Sequence, residues 1–550
     1  MRRFRHMVLA ATCLSLGALL ASPPGAGAHT ARHITAGPRY GGTLRVAYTG
    51  NFTSFDAAQA YTDDWYVMNG TLYDGLYRFD RYGKPQLDLA AQPPTISPDR
   101  KTWTFHLRKG VLFSNGMELT ANDVKYSITR TLDPHLKPAA SWGQPYDEPL
   151  FVGAHDFVTG KATSVSGIQV LDRYTVRFRL TQPVAILPDL LASSFNMIVP
   201  QAVVSKEGGD YFGSHPVGSG PFMLQSWQKG VRAIFVRNPH YFRKGKPYVD
   251  KVIAYSSMAS SLIALKIEKG DLDGFGRATE LSAPDLQLAR SNPTYARYLV
   301  NAPSTTAIWL DLNVHVAPLT DQRMRQAIAL AINRRRLVQV LGGTAVAASQ
   351  IYVPLDPQYD PTLDAHPRYP YDPHKAAALV KASGYHGQPI TLYYATNYPF
   401  EVSMATALQQ MLQQVGLTVT LRGAMLSSII SQVAALTGSQ MSFASWSIDF
   451  PDAYDVYSGT MACAVNGAGQ ASAAHYCDRR ADDLVTRAEG LPLGPERDAL
   501  LRQAQVRILD SAAQIPLIFV KTIDMVSPKV RGFYYNPVFA WEFQDYWLQQ

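Results

Sequence analysis

Strand-like and helix-like segments alternate in the second half of the chain, between residues 308 and 520. Four segments have the β-branched and aromatic composition of strands, namely 308–313, 390–395, 417–421 and 441–446. Residues 402–415 instead carry apolar side chains at helical spacing, and Gly416 follows them as a typical helix-ending residue. Strands that alternate with helices favour parallel pairing. The pattern therefore predicts an α/β lobe with a largely parallel sheet.

Arginines surround one of the predicted helices in this half. Thr320 is expected to cap the helix, and an apolar stripe that includes Met324 and Ile328 defines its buried face. We interpret the surrounding charge as mainly a solvated face rather than an anion site. The arginines concerned are Arg323, Arg325, Arg334, Arg335 and Arg336.

The first half contains denser turn signals. Residues 102–107 alternate like a strand, Asn115-Gly116 indicates a tight turn, and residues 111–113 are expected to resume the strand. Thr120 and Asp123 have the spacing of a capping box and predict a helix that follows. Further on, 170–180 predicts one strand, and 222–227 with 231–237 predicts a strand pair.

The N-terminus has the three parts of a secretory signal peptide. Arg2, Arg3 and Arg5 precede the apolar run 7–20, and residues 26–28 read Ala-Gly-Ala, a typical cleavage site. Residues 1–28 are therefore expected to be removed, which places the mature chain outside the cytoplasm. A lipid attached at Cys13 and a membrane anchor are the less favoured alternatives, because Cys13 lies inside the apolar run and Pro23 helps to end that run early.

Length and charge narrow the function classes. A chain of 550 residues needs two or three domains, since single cores rarely grow that large. A formal net charge of +8, spread over that length, is no footprint for nucleic acid. Cys463 and Cys477 are the two cysteines beyond the leader, and an exported protein meets oxidising conditions, so they are a disulfide candidate. Two buried free thiols and a metal pair are the alternatives.

No constellation in the sequence predicts an enzyme. We find no P-loop, no H-E-x-x-H zinc motif and no nucleophile elbow, and the histidines are scattered. We therefore expect no catalytic residues, no metal and no cofactor.

One acidic and aromatic loop is a candidate ligand site. It lies within 443–461, directly after a predicted strand, and contains Trp446, Asp449, Asp452 and Asp455. Ligands of open α/β sheets bind beyond the carboxyl ends of strands, and a carboxylate beside an indole suits a cationic group. The alternative is a structural loop in which the aspartates form turns and caps.

Several motifs, in order, resemble one known family. The most specific is WTFHLRKGVLFSNGMELTANDV at 103–124, and it is joined by GSGPFMLQSW at 218–227, VRNPHYF at 236–242 and WSIDFPDAYD at 446–455. On these motifs the chain resembles the large extracytoplasmic solute-binding proteins of ABC importers, which include oligopeptide-, dipeptide- and nickel-binding members. The resemblance covers essentially the whole mature chain.

The resemblance implies an α/β fold of the two-lobe periplasmic-binding-protein type (type II, cluster C-like), with an extra subdomain in the first lobe and a hinge between the lobes. Lobe I is expected at 39–75, 200–300 and 525–550, the extra subdomain at 76–199, and lobe II at 301–524. The implied function is capture of a peptide or related small polar solute and its delivery to an ABC permease, by a monomer and without chemistry. Binders of another solute, such as a sugar oligomer or a metal chelate, and a signalling or chaperone-like binder on the same fold are the alternatives.

Site residues also follow from the resemblance. Asp449 matches the aspartate that holds the ligand's α-amino group in peptide-binding members, and Trp446 matches a pocket aromatic. Trp309 falls where family members have an aromatic residue on the first strand of lobe II, and Tyr61 lies in the N-terminal segment that lines the cleft, so both are expected to bind the ligand. The dipeptide-binding member carries a cysteine pair at similar spacing, which supports Cys463–Cys477. It also clamps the ligand carboxylate with an arginine, but the matching loop here, 395–401, has none. Asn397 and Tyr398 stand there instead, so strict dipeptide specificity is not expected.

Overall fold

Three β-sheets hold most of the strands in the computed structural model, which describes residues 37–59, 70–136, 141, 143–275, 281, 283–467 and 472–549. The first sheet has five strands, Gly274–Phe275, Thr43–Ala47, Lys251–Tyr255, Arg232–Arg237 and Phe222–Gln228, in that spatial order. Thr43–Ala47 pairs in parallel with both of its neighbours, and the last three strands are antiparallel. The strand pair predicted from 222–227 and 231–237 is confirmed.

The second sheet has six strands, Ala345–Ala347, Gln514–Met525, Leu299–Leu312, Met441–Ser447, Ile390–Ala395 and Val419–Ala424, in that spatial order. Ile390–Ala395 pairs in parallel with both of its neighbours, Val419–Ala424 and Met441–Ser447, and the other three pairings are antiparallel. The predicted largely parallel sheet is therefore wrong. Alternation of strands and helices along the chain predicts parallel pairing only for strands joined by a single crossover. Gln514–Met525 instead pairs with Leu299–Leu312, which lies about 200 residues earlier in the chain.

The third sheet has four strands, Thr95–Ile96, Thr102–His106, Thr175–Arg179 and Ile168–Asp172, in that spatial order. The last two form an antiparallel hairpin where the sequence predicted one strand over 170–180. The Asp172 carboxylate accepts the backbone N–H of Tyr174 at 2.8 Å. An Asp that bonds the backbone two residues on is a turn former, and this local bond overrides the alternating pattern.

Residues 111–119 form a turn rather than the second strand that we predicted. Pairing in this segment is limited to an isolated bridge between Leu112 and Glu118. Gly116 has φ +84°, which suits the predicted tight turn. The capping box is confirmed: the Thr120 backbone N–H donates to the Asp123 carboxylate at 2.8 Å, and the helix Ala121–Thr131 follows.

The arginine-rich helix differs from its prediction in two ways. Its cap is Asp321, whose carboxylate accepts the Arg323 N–H at 2.8 Å, rather than Thr320. Arg325 is buried and donates to the carbonyls of Leu319 and Ser511, at 2.8 and 3.1 Å. The interpretation as a solvated face is therefore wrong for Arg325, which has a structural role.

Helices cover the faces and ends of the sheets. In the first 300 residues they are Ala121–Thr131, Gln144–Asp147, Ala154–Val158, Leu187–Leu190, Ser194–Asn196, Gln201–Glu207, Gly209–Phe212, Ser260–Lys269, Ala283–Ser291 and Pro293–Ala296. Beyond residue 300 they are Gln322–Ala331, Arg334–Val340, Pro361–Ala365, Pro373–Ala382, Pro399–Gln414, Leu426–Val433, Ala453–Val456, Tyr457–Met461, Cys463–Val465, Arg479–Glu489, Pro495–Ser511 and Phe543–Asp545. Within the described ranges, none is long and apolar enough to cross a membrane.

Two long strands connect the regions of the first and second sheets. Leu299–Leu312 and Gln514–Met525 pair antiparallel, with a break in register between Ala302 and Thr306. Their outer ends pack in one apolar cluster with Ala47 and Phe275 of the first sheet. Three short strand pairs complete the fold: Tyr77–Phe79 with Pro85–Leu87, Val530–Arg531 with Trp547–Leu548, and Tyr535–Asn536 with Ala540–Trp541. The domain limits given above stay predictions.

Candidate functional site

The acidic loop begins where the strand Met441–Ser447 ends. Asp452 caps the helix Ala453–Val456, since its carboxylate accepts the Tyr454 N–H at 3.0 Å. The same carboxylate receives both terminal nitrogens of Arg497, at 2.7 and 2.9 Å. Arg497 also donates to Glu489 at 2.7 Å, and all three side chains are buried. Asp452 therefore has the structural role that the alternative interpretation of the loop predicted.

Asp449 is buried but has few partners. One carboxylate oxygen, Oδ2, lies 3.2 Å from the hydroxyl of Tyr146. The other, Oδ1, has no hydrogen-bond partner, and the side chain is 1% exposed. Among the described residues, no cation forms an ion pair with it. A buried acceptor without a donor is costly, so this oxygen is suited to receive a donor from a ligand.

Asp455 holds the site together. Its Oδ2 accepts the indole N–H of Trp446 at 3.1 Å and the backbone N–H of Asp449 at 2.7 Å. Its Oδ1 accepts the hydroxyl of Tyr146 at 2.7 Å. Trp446 is half-buried, and a methyl group on Gly459 would meet its ring at 2.4 Å. Asp455 and Gly459 therefore fix the position of the indole, and Asp455 joins it to the backbone of Asp449.

Tyr146 is the site residue that the sequence did not predict. It lies in the helix Gln144–Asp147, within the predicted extra subdomain, and 303 residues separate it from Asp449. Its ring packs edge-on against Phe450, with the centroids 5.6 Å apart. The sequence around Tyr146 shows no hydrophobic periodicity and no motif, so nothing in it predicted a contact with the acidic loop.

The two carboxylates resist ionisation. Burial raises the pKa of Asp449 well above its usual value, and the charge of Asp455 raises it further. Burial also raises the pKa of Asp455, but hydrogen bonds from Tyr146, from the Asp449 backbone and from Trp446 lower it, so Asp455 ionises more readily than Asp449. A cation placed beside Asp449 would reverse part of this cost, because an opposite charge favours the ionised form.

The other predicted site residues lie apart from this cluster or outside the described residues. Trp309 is 1% exposed, and its indole N–H donates to Asp311 at 2.8 Å. Its ring shares an apolar cluster with Trp446, but it is enclosed rather than presented to a ligand in this conformation. Tyr61 and the predicted leader 1–28 lie outside the described residues.

Asn397 and Tyr398 follow the strand Ile390–Ala395, as expected. Asn397 is exposed, and its side-chain oxygen accepts the Leu426 N–H at 3.1 Å. Tyr398 is half-buried and packs against Phe400, with the ring centroids 5.3 Å apart. No hydrogen bond among the described residues joins either side chain to Asp449, so their ligand role stays a prediction.

Cys463 and Cys477 form a disulfide with an S–S distance of 2.04 Å, which confirms the sequence-based expectation. The bridge lies just beyond the acidic loop, and the Cys463 N–H donates to Asp482 at 3.2 Å. In the described part of the chain, no group of three His, Cys, Asp or Glu side chains is placed to bind a metal ion together.

Comparisons with known proteins give consistent results. The profile described as "Bacterial extracellular solute-binding proteins, family 5 Middle" matches residues 84–468. The glutathione-binding protein GsiB of Escherichia coli O1:K1 is 26% identical over 512 residues, which covers 92% of this chain and 94% of that relative. The periplasmic binding protein DppA of Helicobacter pylori, solved in complex with the peptide STSA, is 26% identical, with a TM-score of 0.78 and coverage of 93% and 99%.

A third similarity concerns the fold alone. The oligopeptide-binding protein AppA of Bacillus subtilis, solved in complex with a nonapeptide, has a TM-score of 0.76 at 22% identity, covering 93% of this chain and all of that one (100%). The two-lobe α/β fold that the sequence motifs predicted is therefore the fold of this chain.

Proposed function

The chain belongs to the bacterial extracellular solute-binding proteins of family 5, and we propose that it captures a peptide, or a related small polar solute with a free amino group, between its lobes. It delivers this solute to the permease of an ABC importer. It acts by binding and closure rather than by catalysis, because ligand contacts to both lobes favour the closed form.

The observation that carries this proposal is the unpaired Oδ1 of Asp449. It is a buried carboxylate oxygen, and an ammonium group would give it both a donor and a counter-charge. The indole of Trp446 and the backbone of Asp449 donate to the same oxygen of Asp455, so an aromatic ring belongs to the same cluster. Tyr146 reaches the same carboxylate from the predicted extra subdomain. A ligand bound here would touch residues from both sides of the cleft, as a closure mechanism needs.

Relatives support the peptide-like class. One is named for glutathione, and the Helicobacter pylori and Bacillus subtilis structures hold peptides. The side chains of such ligands can lie in wet, permissive pockets while polar groups read the backbone. We place the protein outside the cytoplasm, released from the leader 1–28 and acting as a monomer.

The test is the affinity of Asp449→Asn for peptides that bind the wild type. The amide keeps the shape of the side chain but removes its charge, so affinity should fall at least tenfold, or by about 1.4 kcal/mol. Isothermal titration with Ser-Thr-Ser-Ala and with glutathione measures this change. The ligand-side control is the N-acetylated tetrapeptide, which lacks the cation and should bind wild type and variant alike.

Unchanged affinity in Asp449→Asn would remove the proposed role of Asp449. A second experiment concerns the loop with Asn397: with no arginine there to neutralise a carboxylate, dipeptides should bind no better than longer or C-terminally amidated peptides. A clear preference for free dipeptides would contradict the role given to this loop.

A further inference from the structure

One hydroxyl hydrogen lies between two carboxylates at this site. The Tyr146 oxygen is 2.7 Å from Asp455 Oδ1 and 3.2 Å from Asp449 Oδ2. A tyrosine hydroxyl has a single hydrogen to donate, and the shorter contact takes it. The longer contact then joins two oxygens, and it becomes a hydrogen bond only when Asp449 carries a proton and donates it to Tyr146.

Asp455 is the less suitable place for that proton. Its Oδ2 already accepts two N–H groups, from Trp446 and Asp449, and its Oδ1 accepts Tyr146. Those three donors favour the ionised form of Asp455. Asp449 has no N–H donor on either oxygen among the described residues, so the proton is better held there.

No charged side chain described around the loop is free to neutralise Asp449 in place of a proton. Arg497 is the buried cation that contacts this loop, and it is already bonded to Asp452 and Glu489. The remaining titratable groups around the loop are acids or phenols, namely Asp189 and Tyr146 from the predicted extra subdomain, and Asp356, Asp452, Asp455, Tyr454 and Glu489 from the second-sheet region. Burial and the charge of Asp455 both raise the pKa of Asp449, which agrees with this arrangement.

We propose that Asp449, Tyr146 and Asp455 share one proton before a ligand binds, and that the ligand's ammonium group takes the place of this proton. This inference rests on the proposed function. When the ammonium approaches Asp449 Oδ1, the carboxyl proton leaves Oδ2 for solvent and no covalent bond to carbon changes. Before the exchange, neutral Asp449 and ionised Asp455 together carry a charge of −1. After the exchange, two carboxylates and the ligand's ammonium group again sum to −1. The buried charge is therefore conserved.

The exchange makes capture depend on pH. Between about pH 5.5 and 7 a peptide amine stays protonated, so the proton released is that of the site. Affinity for Ser-Thr-Ser-Ala should then rise about tenfold for each pH unit, by linkage. Titration in buffers of different ionisation enthalpy should count close to one proton released per peptide bound.

Asp455→Asn is the sharpest variant for this inference. Its amide oxygen can still accept the N–H groups of Trp446 and Asp449, and its amide nitrogen can donate to Tyr146. Tyr146 then points its hydrogen at Asp449, and the neighbouring negative charge is gone. Both changes favour ionised Asp449, so the pH dependence should shift to lower pH by at least one unit, with the peptide still bound.

A direct measurement needs no ligand. Infrared difference spectra of the ligand-free protein at about pH 6 should show a protonated-carboxyl band in wild type that is absent from Asp449→Asn and weaker in Asp455→Asn. Glu542→Gln is the matched control: it removes another buried carboxyl with a pKa of about 7, far along the chain in the tail. This variant should lack the carboxyl band of Glu542 and keep that of Asp449. The number of protons released when the peptide binds should stay the same as in wild type.

The outcomes separate the two proposals. Peptide binding that depends on Asp449, without proton release and without the Asp449 band, overturns the exchange and leaves the proposed function standing. An Asp449 band in a protein that binds neither Ser-Thr-Ser-Ala nor glutathione supports the shared proton and contradicts the peptide-like ligand. An unchanged pH profile in Asp455→Asn also overturns the exchange.

Discussion

Two pairs of buried acids lie in or beside the same loop, and they have different partners. Asp452 and Glu489 share the guanidinium of Arg497, which donates to both. Asp449 and Asp455 share only the hydroxyl of Tyr146, with N–H groups on Asp455 and none on Asp449. Both pairs are almost fully enclosed.

The presence or absence of a cation distinguishes the pair with a structural role from the pair proposed to bind a ligand. A buried pair with its own cation is electrostatically complete, and it fixes the loop against the helix Pro495–Ser511. A buried pair without a cation costs folding free energy until a positive group arrives. The incomplete pair is therefore the one that a ligand can complete.

Removal of Arg497 should give the largest effect. Arg497→Met leaves Asp452 and Glu489 buried without a counter-charge, and such losses cost about 3–5 kcal/mol of the free energy of unfolding. Urea denaturation measures this cost. Arg323→Met is the matched control, because Arg323 forms an exposed pair with Asp321, and it should cost less than about 1 kcal/mol. Similar losses in the two variants would show that Asp452 and Glu489 do not depend on Arg497 as a buried counter-charge, which contradicts the contrast with Asp449 and Asp455.

Asp449→Asn should raise the free energy of unfolding, whereas Arg497→Met should lower it. The pKa of Asp449 is raised by folding, so above about pH 4 the folded state binds more protons than the unfolded state, and stability falls as pH rises. The amide does not titrate. Its advantage over wild type should therefore begin near pH 4 and grow with pH, by up to about 1.4 kcal/mol per unit until the folded pKa is reached. Denaturation at pH 5 and pH 8 measures the difference.

In this comparison, the buried acids that do not face Asp449 titrate equally in both proteins, so they cancel. Asp455 does not cancel, because the variant removes the repulsion between the two carboxylates, and that removal adds to the advantage of the variant at high pH. An advantage that shrinks with pH would mean that Asp449 is ionised at little cost, contrary to the proposed contrast between the pairs.

Tyr146→Phe should give the smallest effect. It removes one hydroxyl that reaches from the predicted extra subdomain to both Asp449 and Asp455, and about 1 kcal/mol, or near fivefold, should be lost in peptide affinity. Tyr352→Phe is the control, because its buried hydroxyl donates to Leu501 within the second-sheet region, at 3.0 Å. It should lower stability without lowering affinity, and equal losses of affinity would deny Tyr146 a specific role.

Local patterns were predictable because their causes are local. The capping box of Thr120 and Asp123 and the antiparallel pair at 222–237 depend on neighbours within about 15 residues. Asp449 and Trp446 were found because a family motif marks the loop. The sequence could not, however, distinguish the roles of Asp452 and Asp449, because Arg497, the cation that neutralises Asp452, lies 45 residues further on.

Long-range features were not predictable for the same reason. Tyr146 meets the acidic loop across 303 residues. The direction of Gln514–Met525 is set by its pairing with Leu299–Leu312, which lies far earlier in the chain. Arg325 resembles a surface arginine in the sequence, yet distant carbonyls such as that of Ser511 satisfy it in the interior. Each miss came from a partner that no periodicity encodes.

The two long strands that join the sheet regions have a mechanical consequence. The backbone hydrogen bonds between Leu299–Leu312 and Gln514–Met525 resist sliding of one strand past the other. The regular bonding is interrupted between Ala302 and Thr306, and the register shifts again between Ile308 and Trp309, so we expect the strand pair to bend most easily over this stretch. We expect such a joint to be compliant in rotation and stiff in translation, so that the lobes swing about a nearly fixed axis and the Tyr146 hydroxyl returns to the same two carboxylates at each closure.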